Sequence, residues 1–310
     1  MAEPVILANG EVKDGFIVEG MQALRSGARA CDVAEQIARA VEDDPEEHTV
    51  GYGGFPNLLG EVELDASIMD GDTLHVGAVA GLKGFRHPIS VARQVMVRLP
   101  HVLLVGEGAA RFAEEIGAER RDMLSPEAAA AWRACMAQIG TAGSLSERVW
   151  RARQVGYGHD TMNVIVRDAH GSLCAAVTTS GVAWKYPGRV GDSPLIGAGN
   201  YCDSRYGAAA CMGLGEAAIR LAAAAQVVTL LRVGWSLDAA GREVARQLAQ
   251  LLGVSAAEDP MRQVDWARVL VMDADGAVGG FATRPGLHYK VQRAQDPIPY
   301  LREACFVDPS

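Results

Sequence analysis

Lysine is scarce in this chain, occurring only at positions 13, 83, 185 and 290, and the formal net charge is −9. No basic face is on offer, which excludes nucleic acid as a partner. Proline is also sparse, at 13 residues, while 49% of residues are hydrophobic and 22% charged. That balance excludes a disordered or fibrous chain and describes a folded globular one. No apolar run is long enough to span a bilayer: the most apolar stretch, 221–231, is about half of the roughly 20 residues required and lies between Arg220 and Arg232. The first fifteen residues have neither a basic region nor an apolar stretch of the length a secretory leader needs, so a reduced cytoplasmic protein is expected. The cysteines, Cys31, Cys135, Cys174, Cys202, Cys211 and Cys305, show no CxxC pair and no Cys/His spacing for zinc. They are expected as buried apolar groups rather than a disulfide framework. Nor do His48, His87, His101, His170 and His288 form a spaced cluster. With no phosphate loop either, no cofactor and no metal is expected.

What is present alternates between short strands and helices. Strands are expected at 5–8, 64–69, 73–80 and 101–105, the last as a buried strand. Helices are expected at 16–26, 31–41, 89–99, 108–116 and 126–139. A glycine-rich hinge, Gly51-Tyr52-Gly53-Gly54, interrupts the first series. From 141 to 158 the chain is polar and without period, which reads as a long loop. The pattern changes at Thr161. Two strands, 161–166 and 173–178, flank a turn at 168–171. A Gly- and Pro-rich loop follows at 186–194, then a long helix from about 207 to 228 and another at 237–252. A second hairpin at 269–283 and a last strand near 287–291 close the chain.

The hairpin carries a geometric consequence. If Asp168 faces Gly171, paired positions sum to 339, so Thr161 lies opposite Thr178 and Asp160 opposite Thr179; a three-residue loop shifts this by one. Residues directly opposite sit about 5 Å apart, so a hydroxyl of Thr178 or Thr179 stands within reach of Thr161. Taken alone, two threonines in a sheet mean no more than β-branched residues on a pleated surface.

The surrounding residues go further. His159-Asp160-Thr161, then Thr178-Thr179-Ser180-Gly181, then the run from Gly188 through Arg189 and Asp192 to Pro194, then Gly197 and Gly199, Gly207 to Ala210, and Gly213-Leu214-Gly215 follow in one order. With Gly51 to Gly54, Leu64 to Gly71, Val76 to Ala78 and Leu103 to Glu107 in the first half, this resembles the glycosylasparaginase branch of the asparaginase/isoaspartyl peptidase family of N-terminal-nucleophile hydrolases. The likeness covers nearly the whole chain. It implies an α/β (α+β) fold, a four-layer αββα sandwich forming one domain over 1–310. It also implies self-cleavage between Asp160 and Thr161 into an α chain (1–160) and a β chain (161–310), and a homodimer of αβ units.

The chemistry implied is that of an amidase. A threonine hydroxyl is a poor nucleophile near neutral pH and needs a base. Cleavage before Thr161 frees an α-amino group whose reference pKa of about 7.7–8.0 suits that task. By resemblance, Thr179 hydrogen-bonds the nucleophile. Arg189 and Asp192 hold the α-carboxylate and α-ammonium of a small amino-acid-like substrate, and Gly213, close to Gly215, offers a backbone N–H to the oxyanion. A guanidinium fork and a carboxylate suit such a zwitterion.

Three residues depart from the family. Met212 stands where a threonine is the other oxyanion donor, and a thioether has no proton to give; one lost donor typically costs about 10²–10³ in rate. No Trp precedes Trp132, and Asn9-Gly10-Glu11 occupies the stretch where glycosylasparaginases carry a substrate-facing Trp. Phe55 stands in place of a small serine. The expected function is hydrolysis of the side-chain amide of asparagine or N4-glycosyl-asparagine. The alternatives are a β-aspartyl (isoaspartyl) peptidase or other ω-amidase, and a scaffold that has lost catalysis.

Overall fold

A computed structural model describes residues 2–155, 161–258 and 266–309. Asp160, His159 and Gly158 lie outside the described residues, so the expected scission bond is approached only from its Thr161 side.

The chain opens with β1 (Val5–Asn9), α1 (Asp14–Arg25) and α2 (Ala30–Glu42), followed by β2 (Leu64–Asp70), β3 (Val76–Leu82) and α3 (Pro88–Arg98). Then come β4 (Leu103–Val105), α4 (Gly106–Glu115), α5 (Pro126–Ile139) and α6 (Leu145–Val155). Beyond Thr161 lie β5 (Met162–Arg167), β6 (Leu173–Thr179), β7 (Asn200–Asp203), β8 (Gly207–Gly213), α7 (Gly215–Leu221), α8 (Ala223–Arg232) and α9 (Leu237–Glu258). The last strands are β9 (Ala267–Asp273), β10 (Val278–Ala282), β11 (His288–Arg293), β12 (Tyr300–Glu303) and β13 (Cys305–Phe306). Local chemistry sets several of these bounds. The Ser125 hydroxyl accepts from the Ala128 N–H ahead of Pro126, the preferred opening of a helix, and α5 starts there. Pro88 opens α3, and the buried Ile89 N–H, which has no partner within the first turn, donates to the buried Glu42 carboxylate.

Among the described residues the strands form two sheets, one ordered β12-β11-β1-β5-β6-β2-β3-β4 and one ordered β13-β10-β9-β8-β7. Alternation along β5 and β6 explains why both are buried on both faces. Met162, Val164, Val166, Cys174 and Ala176 pack with residues of α1 to α4, whereas Ile165, Leu173 and Ala175 pack with Ala208, Ala210, Met212 and Leu270 of the second sheet. Ala209, Cys211, Val269 and Val271, on the other face of that sheet, meet α7, α8 and α9. Each fully buried Ile or Leu in these layers contributes about 1.5–3 kcal/mol. No helix of the described residues is long and apolar enough to cross a membrane.

Four expectations are corrected. The long helix from 207 is instead a strand, β8, followed by two helices that meet at Ala222, whose φ is +49°. A small-residue run, Gly207-Ala-Ala-Ala, fits a strand squeezed between a sheet and a helix layer as well as it fits a helix, and tertiary packing decides. The polar segment 141–158 contains α6, which packs on α5 through Ala152 and Val149 beside Cys135 and Ile139. Strand β4 lies at the sheet's edge and is not buried. Finally, the β5–β6 register sums to 340, with Met162 opposite Thr178 and Arg167 opposite Leu173. Asp168 and Ser172 close a three-residue loop, in which Asp168 Oδ1 accepts from the His170 and Ser172 N–H groups.

Candidate active site

That one-residue shift decides which threonine stands opposite Thr161. Continued by one residue, the ladder sets Thr161 opposite Thr179, and both belong to the set that faces the second sheet. Thr178 points the other way, where its hydroxyl donates to Glu42 Oε1 at 2.7 Å. Thr161 is buried, at 8% exposure, and Thr179 is buried beside it. Thr179 Oγ1 donates to the Thr49 carbonyl (3.2 Å) and accepts from the Gly181 N–H (2.9 Å). The Ser180 N–H donates to the same Thr49 carbonyl at 2.7 Å. The glycine hinge makes this contact feasible: Gly51 adopts φ +54°, and a Cβ on Gly54 would lie 2.7 Å from that of Ser180. Thr49 was not singled out by sequence, and no periodic signal marks it.

The loop after β6 carries Arg189 and Asp192 back to this corner. A Cβ on Gly181 would lie 3.3 Å from Arg189 Nη1, so the guanidinium sits against the turn that follows Thr179. A Cβ on Gly215 would lie 2.6 Å from Asp192 Oδ1, so the carboxylate reaches the end of β8, two residues beyond Gly213. Ser67, donating to the Ser193 carbonyl and accepting from Asn200 Nδ2, pins the loop from beneath. The two heads differ in state. Arg189 grips Glu216 with two parallel hydrogen bonds, Nε to Oε1 at 3.0 Å and Nη2 to Oε2 at 2.8 Å. Asp192 is 4% exposed and its Oδ2 has no hydrogen-bond partner. Burial pushes its carboxyl up to about 7, against the pull of the Arg189 charge. Glu216, which holds the fork in place, was not foreseen.

Beneath the same corner lies a buried charge group. Asp65 pairs across the ladder with Thr179, and Lys185 Nζ donates to the Glu63 carbonyl at 3.2 Å. Burial lowers the Lys185 pKa and raises that of Asp65, and each charge partly offsets the other's shift.

Gly213 has φ +106°, and a Cβ there would overlap the Trp266 carbonyl, so only glycine fits the end of β8. Met212 is buried and faces the space between the sheets. Its cross-strand partner is Arg268, which donates to the Met212 sulfur from Nε (2.9 Å) and Nη2 (2.6 Å). Arg268 also pairs with Glu11, Nη2 to Oε2 at 2.8 Å. Phe55 stacks on His48 and leans on Trp184, with ring centroids 5.1 Å apart in both cases. No group of three or more His, Cys, Asp or Glu among the described residues could hold a metal ion.

Comparison with known proteins places the chain in a family. The family model described as "Asparaginase" matches residues 11–258. This chain belongs to that asparaginase family. The N(4)-(β-N-acetylglucosaminyl)-L-asparaginase of Elizabethkingia miricola is 36% identical over 289 residues, 93% of this chain and 81% of that one. The plant-type L-asparaginase of Thermococcus kodakarensis is 35% identical over 269 residues, covering 85% of this chain and 83% of the relative. The isoaspartyl peptidase of Salmonella typhimurium is 42% identical over 248 residues, 77% and 76% of the two chains. The family member described here is therefore an amidohydrolase by descent.

Proposed function

We propose that this asparaginase-family chain is a self-processing amidase that cleaves the side-chain amide of an asparagine-like amino acid, through an ester on Thr161. The observation that carries the reading is the convergence on one corner of the inter-sheet layer. Thr161 and Thr179 face it, Arg189 lies against Gly181, and Asp192, whose buried Oδ2 has no hydrogen-bond partner, lies against Gly215. In the first reaction Thr161 Oγ attacks the Asp160 carbonyl, the chain shifts from nitrogen to oxygen, and water hydrolyses the ester. The new α-amino group then takes the Oγ proton when Thr161 attacks a substrate amide. Gly213 N–H donates to the developing oxyanion, and the released amine leaves with a proton from the Thr161 ammonium. Water then frees the acid and restores Thr161. Arg189 binds the substrate's α-carboxylate and Asp192 its α-ammonium.

The inter-sheet cluster and the helices outside each sheet support a four-layer αββα sandwich, with α (1–160) and β (161–310) chains remaining together as one domain. A homodimer of αβ units and a cytoplasmic location belong to the same proposal. The names of the relatives support N4-glycosyl-asparagine, L-asparagine and β-aspartyl peptides as candidate substrates. The Glu11–Arg268 pair, where the resemblance calls for a tryptophan, favours a shifted specificity over the glycosylated substrate. The test is Thr161→Ala assayed on a panel of these amides. The variant is expected to remain one chain of 32.8 kDa with no turnover on any of them; a variant that still splits or still hydrolyses removes Thr161 from the mechanism.

A further inference from the structure

A fully buried guanidinium spends two hydrogen bonds on the weakest acceptor in its reach. Arg268 is 0% exposed, and both Nε and Nη2 point at the thioether of Met212. A thioether sulfur is a poor acceptor beside any oxygen anion. The remaining donors go to Glu11, at 2.8 Å and 3.4 Å, and to the His288 carbonyl. Such a cation is expensive to bury unless its donors are used well. Two of them are held in reserve.

Their location gives the reserve a purpose. A closed ring of contacts runs through this residue. Arg268 binds Glu11; Asn9 Nδ2 donates to Glu11 Oε2 at 2.8 Å, and Asn9 Oδ1 accepts from the Asn163 N–H at 2.9 Å. Asn163 Nδ2 donates to the Cys211 carbonyl at 3.0 Å, and Cys211 precedes Met212, which returns to Arg268. Asn163 stands two residues from Thr161 on the same strand face, and Gly213 follows Met212 directly. Directly opposed side chains on neighbouring strands have Cβ atoms about 4.5–5.5 Å apart. The guanidinium lies against the Met212 side chain, at the position where the resemblance calls for a threonine hydroxyl next to Gly213.

We infer that Arg268 is the second oxyanion donor of this enzyme, supplying from across the ladder the hydrogen bond that residue 212 cannot give. The inference rests on the amidase reading above and deepens it. When Thr161 attacks the substrate carbonyl, the negative charge that forms on its oxygen draws the Nη2 and Nε hydrogens off the sulfur, and Glu11 holds the fork in place meanwhile. The arginine gives hydrogen bonds and no proton, since a guanidinium does not act as an acid in proteins. The charge also fits the task better than a hydroxyl, because charge-assisted hydrogen bonds are about twice as strong as neutral ones.

The test is a double-mutant cycle between positions 212 and 268, run on the self-cleaved protein with L-aspartic acid β-(p-nitroanilide) as the probe. Arg268→Gln is expected to lower kcat by about 10²–10³ with KM changed less than about threefold. Adding Met212→Thr is expected to raise kcat at least about tenfold more in the Arg268→Gln background than beside the native arginine, because the hydroxyl then fills a vacancy. A purely structural role for Arg268 would not be rescued from residue 212. Equal gains from Met212→Thr in the two backgrounds overturn the inference, as does an Arg268→Gln variant of near-native kcat. Should Arg268→Gln not fold, the same cycle is run with Arg268→Lys, which keeps the charge beside Glu11 but loses the fork; equal gains there overturn it too. The underlying reading fails separately, by a wild type that leaves the probe intact or a Thr161→Ala variant that hydrolyses it.

Discussion

Two arginines, Arg189 and Arg268, are each tied to a glutamate. Arg189 meets Glu216 through two parallel hydrogen bonds, with 18% of its side chain and 50% of its partner's open to solvent. Arg268 meets Glu11 but is wholly enclosed, and part of its fork ends on a sulfur. The same pair of groups thus occupies two environments. An open fork can exchange one carboxylate for another at little cost, which suits a residue that must bind and release a substrate carboxylate. A sealed fork cannot exchange with solvent, and its electrostatic strength is greater because water does not screen it. Accessibility, rather than residue type, separates the arginine proposed to hold the substrate from the one proposed to donate to the oxyanion.

The comparison can be broken most forcefully at Arg189. Arg189→Ala is expected to lower kcat/KM for zwitterionic amides by about 10²–10³, equivalent to roughly 3–4 kcal/mol for a truncated charge pair, with most of the loss in KM. Arg189→Lys is expected to recover only part of it, since an ammonium cannot present two parallel donors. Steady-state kinetics on L-asparagine decides this, and a loss confined to kcat would move Arg189 away from the carboxylate.

A smaller effect comes from the buried Asp192 carboxyl. Asp192, raised by burial to about 7, is ionised only above that pH, and binding an ammonium needs the ionised form. The Thr161 amine and Asp192 both gain protons as pH falls, so the kcat/KM profile of the native enzyme is expected to fall about a hundredfold per pH unit below about 7, and Asp192→Asn should reduce that slope to about tenfold. The sign for stability is the reverse. The folded chain keeps this proton above the group's ordinary value of 3.8, so the carboxyl's contribution to stability declines as pH rises from about 4 to about 7.

The smallest effect sharpens the enclosed pair. Burial raises the Glu11 carboxyl, but the Arg268 charge and hydrogen bonds outweigh it and hold the group below its ordinary 4.5. Its stabilising contribution is therefore present above pH 4.5 and lost as pH falls through the lowered folded value. Although 42% of the Glu11 side chain is exposed, Arg268 is wholly enclosed, so Glu11→Gln leaves a buried charge facing a neutral acceptor and is expected to cost about 1.5–3 kcal/mol in urea unfolding at pH 7. A loss that persists unchanged at pH 3 would mean packing, not charge, holds the pair.

How much of this was legible in the sequence follows from how local each signal is. Apolar spacing located α1, α2, α3 and α5, because an amphipathic face is written within three or four turns. The hairpin at 162–179 was equally readable, and its loop length alone decided whether Thr178 or Thr179 reaches Thr161. The Ala-rich run at 207–213 was misread as helix because small residues carry no period, and only the two packed layers around it impose extension. Arg189 and Asp192 could be found from the Gly-rich run that carries them. Arg268 could not, because nothing near Val269 signals that a charge will be buried opposite Met212. Glu11 was noticed only as an absence of tryptophan. Those two residues meet across 257 positions of chain, and pairing at that separation leaves no trace in local sequence.

The proposed mechanism requires a scission that turns Thr161 into a chain terminus. N-terminal sequencing and intact-mass measurement of the freshly purified, folded protein test it most directly. Two chains, one of them beginning Thr161-Met162-Asn163-Val164, are expected. A single folded chain that hydrolyses asparagine-type amides without ever exposing that terminus would contradict it.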